Sequence, residues 1–535
     1  MLATAGRKAE AEYQETRDRL RDLLAGSDAI QILASLAYRF VVLQTLGRAK
    51  RDDDQSIGLH HLELAQALAL TSPRANGPSP GRLAYRVQEA VHLLRANGDA
   101  SLLRRLSHMP SDQGERKRAF VLEQMRAHTQ VIRGEFYEDQ LFRYLDLVLR
   151  RLDTVFHRQH GVDAIAVLQV IRSLAELVED RFNIFIRRQS EIFKKRKPAA
   201  AVRKFVELFP ELGMTPDEIL ASLTEAGVRP EHARDALVEF TNTTLTECFT
   251  VSRDDIASVC PPGAETSAIL QIIDQWSLSF SDLAGQNLDH LHLDNPIWRK
   301  PFIRLGDGQL FWLTVTSSSI FAFEMFETLI DPHEPLSIAY HDARAEMLED
   351  ELTTLLARYF PAGKVMRQLQ WSDPATTAAY ENDAVVAVDR YLLIFEAKSR
   401  RVSSPALRGA PDRLALEIRK VMVEPAEQSK RLMDMLLAER RIHCFQSKDG
   451  PVQIDSRAID TFVRVNVSLE TIGDLNSRWP ELAEARFIAQ DAVQIPTMSL
   501  GDLETICRSL RSQSSLVHYL KRREDFERNA VLPGR

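Results

Sequence analysis

Between residues 381 and 399 the chain reads ENDAVVAVDRYLLIFEAKS, two short apolar runs on either side of a polar turn. The second run, Tyr391-Leu392-Leu393-Ile394-Phe395, ends abruptly in Glu396-Ala397-Lys398. Short runs rich in aliphatic and aromatic residues and bounded by turn residues read as strands, so this part of the chain has to contain a sheet. Side chains two residues apart on a strand leave on one side. Glu396 and Lys398 therefore project together and Ala397 faces the other way. Asp383 stands at the start of the preceding strand. A hairpin turning at Asp389-Arg390 pairs residues whose numbers sum to about 779, which sets Asp383 opposite the neighbourhood of Glu396. Two carboxylates and an ammonium converge at one open end of the sheet.

Such a group is costly when dry and empty, because unpaired charges resist burial. A divalent cation resolves the cost, and Mg2+ in particular takes a few carboxylate oxygens while keeping several waters. With an ammonium beside it, a cation held there is equipped to activate water against a phosphodiester. The apolar run ends in charges because the rim of the sheet is where chemistry is expected.

The flanking sequence supplies the rest of an α/β module. YHDARAEMLEDELTTLLARYF, ending before Pro361 and Gly363, has the spacing of an amphipathic helix. The strand candidates VMRQLQW, DAVVAVD and YLLIFEAK follow, then a basic helical stretch through Leu437 and a further strand, DTFVRVNVSL. Upstream, residues 1–290 read as helices, a bundle or solenoid-like region divisible near 73–81 or 197–215. Its clearest helix start is Thr215-Pro216-Asp217-Glu218, with a capping threonine, a proline for the first turn and a glutamate to reach back. PRANGPSPG, residues 73–81, reads as a connector, and Gly26 and Gly47 as helix terminators. Residues 291–335 carry a hairpin signal at Gly306-Asp307-Gly308 and a connecting helix. Residues 471–535 add a short strand, VQIPTMSL, and helices that cover the module.

Asp383, twelve intervening residues and then Glu396-Ala397-Lys398, set at two strand ends after an acidic helix and before a basic one, resembles the restriction-endonuclease-like PD-(D/E)xK nuclease superfamily. The resemblance covers residues 336–470. It implies an α/β core with a mixed central sheet flanked by helices, attached to an all-α N-terminal region in a multidomain chain. It also implies that Asp383, Glu396 and the backbone of Ala397 bind Mg2+, with Mn2+ able to substitute, and that Lys398 positions or activates the attacking water. Members often add a carboxylate from the preceding helix. Glu346, Glu349, Asp350 and Glu351 are available, and Glu349, between Leu348 and Leu352, fits best. Many also place a glutamine on the following helix, where Gln428 fits, with Lys430 or Arg431 nearby for phosphate. The family's proline before the aspartate is replaced by Asn382. Pro425 inside the next helical pattern implies a kink or restart.

The implied activity is hydrolysis of nucleic-acid phosphodiester bonds, foremost by a DNA endonuclease. RNA as substrate stays open, as does a helical interaction protein whose nuclease-like module binds nucleic acid without cutting it. A role in bacterial defence or restriction follows only by analogy of architecture. The helical N-terminal region would serve a protein partner, a second copy or an activating signal.

The composition is compatible with this reading. A net charge of −7 over 535 residues excludes a uniformly basic surface, so contact with nucleic acid has to come from local patches. Candidates are RRQSEIFKKRKPAAAVRK at 187–204 and, nearer the proposed site, Arg413, Arg419, Lys420, Lys430 and Arg431. Cys248, Cys260, Cys444 and Cys507 are scattered, and they read as buried reduced thiols. No apolar run has the length of a membrane span and the first residues have no apolar signal core, so the cytoplasm is the expected compartment. The pairs His157/His160 and His290/His292 could ligate a metal given a third ligand. Trp298, Trp312 and Trp371 read as core or hairpin anchors.

Overall fold

The computed structural model describes residues 2–45, 56–75, 83–134, 136–372, 377–510 and 512–527. Gly47 and most of the 73–81 connector lie outside them. The chain is mostly helical, with a helical N-terminal region and sheets in the C-terminal half. Among the described residues no helix is long and apolar enough to cross a membrane. Contacts group the chain into two units, residues 1–104 with 156–329 and residues 105–155 with 330–535.

In the first unit, Thr215 and Glu218 form the reciprocal cap that their spacing signals: Thr215 N–H donates to the Glu218 carboxylate at 2.7 Å and Glu218 N–H donates to Thr215 Oγ1. The hairpin joins β3 (Phe302–Gly306) to β4 (Gln309–Phe311). Gly306, Asp307 and Gly308 all have left-handed φ values, +108°, +50° and +74°, which glycine adopts without a Cβ penalty. The hairpin is more than a connector, because β1 (Thr250–Val251) and β2 (Ser277–Leu278) pair with it in the order β1-β4-β3-β2. Trp298 and Trp312 are buried beneath it as anchors.

The second unit is built on a mixed sheet of β5 (Lys364–Ser372), β6 (Ala379–Val388), β7 (Tyr391–Lys398), β8 (Ile442–Ser447), β9 (Gly450–Asp455), β10 (Thr461–Ser468) and β11 (Thr497–Ser499). Its order is β11-β10-β7-β6-β5-β8-β9. β10 runs parallel to β7 and to β11, and the other neighbours are antiparallel. Leu392, Leu393, Ile394 and Phe395 point alternately to the two faces, and all four are fully buried. Both faces of β7 are therefore covered. That is the physical meaning of an unbroken apolar run in a central strand. Leu392 and Ile394 pack with Val385, Met366 and, from the helix Glu424–Ala438, Leu432 and Leu436. The helix Glu334–Tyr359 packs along β5, β6 and β7.

Two features of this unit were not foreseen. Residues 442–455, read without strands, form the β8–β9 hairpin, turning at Lys448-Asp449-Gly450 with Gly450 at φ +116°. His443, Phe445 and Ser447 are buried while Ile442, Cys444 and Gln446 are exposed. The period of two is present, but a buried histidine and serine and an exposed isoleucine disguise it. The helix Gln113–Val131, assigned from sequence to the 1–290 helical region, contributes Val121, Leu122 and Met125 to a core shared with Leu414, Ile418 and Trp479. Arg126 and Thr129 on that helix also donate to the carbonyls of Arg408 and Leu407, at 2.9 and 3.0 Å.

Candidate active site

β6 and β7 pair with Ala384 opposite Phe395, Val385 opposite Ile394 and Val388 opposite Tyr391. That register has a constant sum of 779, and its extension by one residue brings Asp383 to Glu396. Beyond Ala384 the ladder gives way to side chains. Asp383 Oδ2 accepts a hydrogen bond from the backbone N–H of Ala397 at 2.6 Å. Because an extended residue sends its N–H and C=O to the same edge, the Ala397 carbonyl faces the Asp383 side as well. Lys398 Nζ lies 3.6 Å from Asp383 Oδ2 and 3.9 Å from Glu396 Oε2. The aspartate, the glutamate and the lysine meet at the rim of the sheet.

Their environments differ sharply. Side-chain exposure is 26% for Lys398, 16% for Asp383 and 1% for Glu396. Asn382, standing where the resembled family has proline, donates from Nδ2 to Glu396 Oε1, while its Oδ1 accepts from Trp371 Nε1 at 2.9 Å. This Trp371–Asn382–Glu396 relay holds one carboxylate oxygen. Glu396 Oε2, the other, is buried with no hydrogen-bond partner. Burial pushes the Glu396 carboxyl well above its usual range, and the negative charge of Asp383 adds to the rise against the opposing pull of Lys398 and Asn382.

Of the four carboxylates on the preceding helix, the structure brings one toward this group. Glu349 accepts from Gln368 Nε2 at 2.7 Å, and its pKa is raised, mainly by burial and further by the nearby charge of Asp383. Glu346 is exposed and lies 3.7 Å from Arg151, Asp350 is engaged by Arg367 and Arg151, and Glu351 by Arg143. Gln368 lies on β5 between Arg367, paired with Ala384, and Leu369, paired with Asn382, and so stands level with Asp383. Its φ is +48°, a left-handed value rare for a residue with a side chain. Strained backbone of this kind clusters at functional sites.

Gln428 is on the helix Glu424–Ala438, which packs on β7 and β10, and its Oε1 is buried without a partner. No hydrogen bond joins it to Asp383, Glu396 or Lys398 among the described residues. Pro425 is accommodated in the first turn of that helix, directly after a π-helical turn over Arg419–Val423. The wider turn absorbs the restart that the proline demands.

Several other sequence candidates resolve into ordinary contacts. Lys430 pairs with Asp434, Arg419 and Lys420 with Glu424, and Arg431 lies over the Tyr380 ring. In the 187–204 run, Lys194 pairs with Glu191 and Lys204 with Glu207. His157 pairs with Asp163, His160 approaches the Leu329 carbonyl, and buried His292 bonds Asn97. All four cysteines are free, but Cys444 is exposed and Cys260 half-buried, so only Cys248 and Cys507 are buried thiols. Among the described residues, no group of three or more His, Cys, Asp and Glu side chains is arranged to hold a metal ion.

Sequence reasoning missed Asn382 as a support, along with Trp371 and Gln368. Their alternation along β5 and β6 could have placed them near Asp383, but nothing in their identity marks them. Comparison with protein-family models, characterised proteins and solved structures gives no match.

Proposed function

We propose that the chain is a Mg2+-dependent nuclease of the PD-(D/E)xK kind, acting on nucleic-acid phosphodiester bonds and foremost on DNA. One observation carries the reading. Glu396 is a fully buried carboxylate with an unpartnered oxygen, side by side with a second carboxylate and an ammonium. A buried carboxyl of this sort stays protonated or takes a cation. Two carboxylates and a carbonyl, with waters completing the shell, suit Mg2+ better than softer ions. Asp383, Glu396 and the Ala397 carbonyl would hold the ion, and Glu349 is placed to support it from the helix side.

When bound, the cation supplies Lewis acidity at the phosphodiester. The chain's own groups do the rest. Lys398, partly exposed beside both carboxylates, is positioned to orient the attacking water and to balance charge building on the phosphate. The Trp371–Asn382 relay fixes the Glu396 carboxylate plane, and Gln368 fixes Glu349.

The test is cleavage of duplex, single-stranded and branched DNA and of RNA, with Mg2+, with Mn2+ and with chelator. Metal-dependent cleavage by the wild type and none by Lys398→Ala or Asp383→Ala supports the reading. Absence of cleavage on every substrate, or cleavage untouched by both substitutions, refutes it.

A further inference from the structure

The second unit holds a cavity of about 450 Å3 at the carboxyl ends of β10 and β11, lined by residues following each strand and by the helices Leu500–Ser509 and Gln513–Glu527. That volume lies in the range of small-ligand sites. Carboxyl ends of parallel strands are where open α/β sheets bind ligands. Lys398 pairs with Ser468 and Ser468 with Ser499, so this cavity opens two strands along the rim from the carboxylate group, about 10 Å at ordinary strand spacing. None of its lining residues belongs to that group.

The chemistry of the lining is mixed. Met498, Ile506 and Tyr519 offer apolar and aromatic faces. Asn476, Thr471 and Ser477 offer hydrogen-bonding groups beside them. The cationic capacity is already spent: Arg523 is paired with Glu527 and also donates to Ser477, and burial pushes His128 toward its neutral form. Asp502, which caps its own helix with Ser499, is the one acid in the lining. A free anion such as inorganic phosphate finds no uncompensated charge here. An uncharged, flat, partly apolar group with several donors and acceptors on its edge fits both halves of the wall, and that description is a nucleobase. Proteins that take a base out of its stack read it in this manner, by edge hydrogen bonds between apolar or aromatic faces.

We infer that this cavity is a nucleobase site, accepting the base of a free nucleoside or of a nucleotide displaced from a strand. The inference reaches beyond the proposed nuclease activity and does not depend on it. Binding is measured on the full chain, without metal and in the Asp383→Ala background as well as the wild type, so that loss of cleavage and loss of base binding are read separately. Calorimetric titrations use adenosine, guanosine, cytidine and thymidine singly, then homopolymeric DNA hexamers of each base and an abasic hexamer. The expected result is saturable binding of at least one nucleoside or hexamer, absent for the abasic strand and weakened about tenfold or more by Ile506→Trp, which fills the cavity. Nucleoside binding assigns a free ligand, and binding by a hexamer alone assigns a strand nucleotide. Tyr519→Ala, which removes one wall, should weaken binding in the same arm and guards against misfolding of the larger substitution, both variants being checked by circular dichroism. The inference is overturned if no base-containing probe binds, if the abasic strand binds equally, or if the folded variants bind like the wild type.

Discussion

Each unit buries a glutamate to 1% exposure, and the two are treated differently. Glu63 in the first unit has both oxygens occupied, one by Trp298 Nε1 at 2.9 Å and the other by Ser317 Oγ at 2.8 Å. Glu396 in the second has one oxygen held by Asn382 and one left bare, with Asp383 and Lys398 close by. A buried polar group that serves only the fold is normally fully hydrogen-bonded, and an exception asks for an explanation. Glu63 behaves as a structural tie. Glu396 is kept incomplete, as a group reserved for a ligand is.

The contrast is open to experiment, most forcefully through activity. Lys398→Ala should reduce metal-dependent cleavage by about a hundredfold or more, the scale seen when a group stabilising transition-state charge is removed, while leaving the melting temperature near that of the wild type. Single-turnover assays beside thermal melts would show it. A mutation that unfolds the chain instead would place Lys398 with Glu63 among structural groups.

Stability separates the glutamates next. Glu63→Ala strands a buried indole N–H and a hydroxyl and should cost about 2–4 kcal/mol by denaturant unfolding, roughly 1–2 for each orphaned group. Asn382→Ala should cost about 1–2 kcal/mol for the remaining buried polar atoms, and should lower Mn2+ affinity about tenfold through the loss of Glu396 orientation.

The pH response gives a third comparison. The Glu396 carboxyl is raised in the folded chain, so the folded state keeps a proton that the unfolded state gives up. Without divalent cation, this group's contribution to stability is full below the usual carboxylate range and declines as pH rises through the folded value. Melts in chelator should show that decline. Glu396→Gln should flatten it, and Mg2+ should flatten it in the wild type. A slope unchanged by Glu396→Gln would mean that its carboxyl does not titrate as the burial requires.

The smallest expected effect is at Gln368. Gln368→Gly relieves a left-handed backbone and should stabilise by roughly 1 kcal/mol, yet it frees Glu349 and should slow cleavage. A gain in stability with no change in cleavage would remove Glu349 from the site.

Much of the site was legible because its geometry is local. Strand alternation and one tight turn are enough to set Asp383 beside Glu396 and Lys398, and the observed register continues the predicted sum. Glu349 could be preferred over its neighbours from helix spacing alone. The β8–β9 hairpin was not legible, since its buried face includes His443 and Ser447, whose burial depends on partners such as Ser447 Oγ donating to the Gly450 carbonyl at 2.8 Å. Nor was the placement of residues 105–155, because an amphipathic helix announces that it has an apolar face but not which core that face will join.

What the sequence determined by itself was the strand, the turn and the order of charges along the rim, all consequences of short-range backbone periodicity. Only the tertiary structure decided that Glu396 would be sealed from water with one oxygen bare, that Asn382 and Trp371 would hold the other, and that a cavity would open two strands away. Burial and hydrogen-bond partnership are properties of neighbours distant in the chain, such as Trp479 against Val121, and no local pattern encodes them.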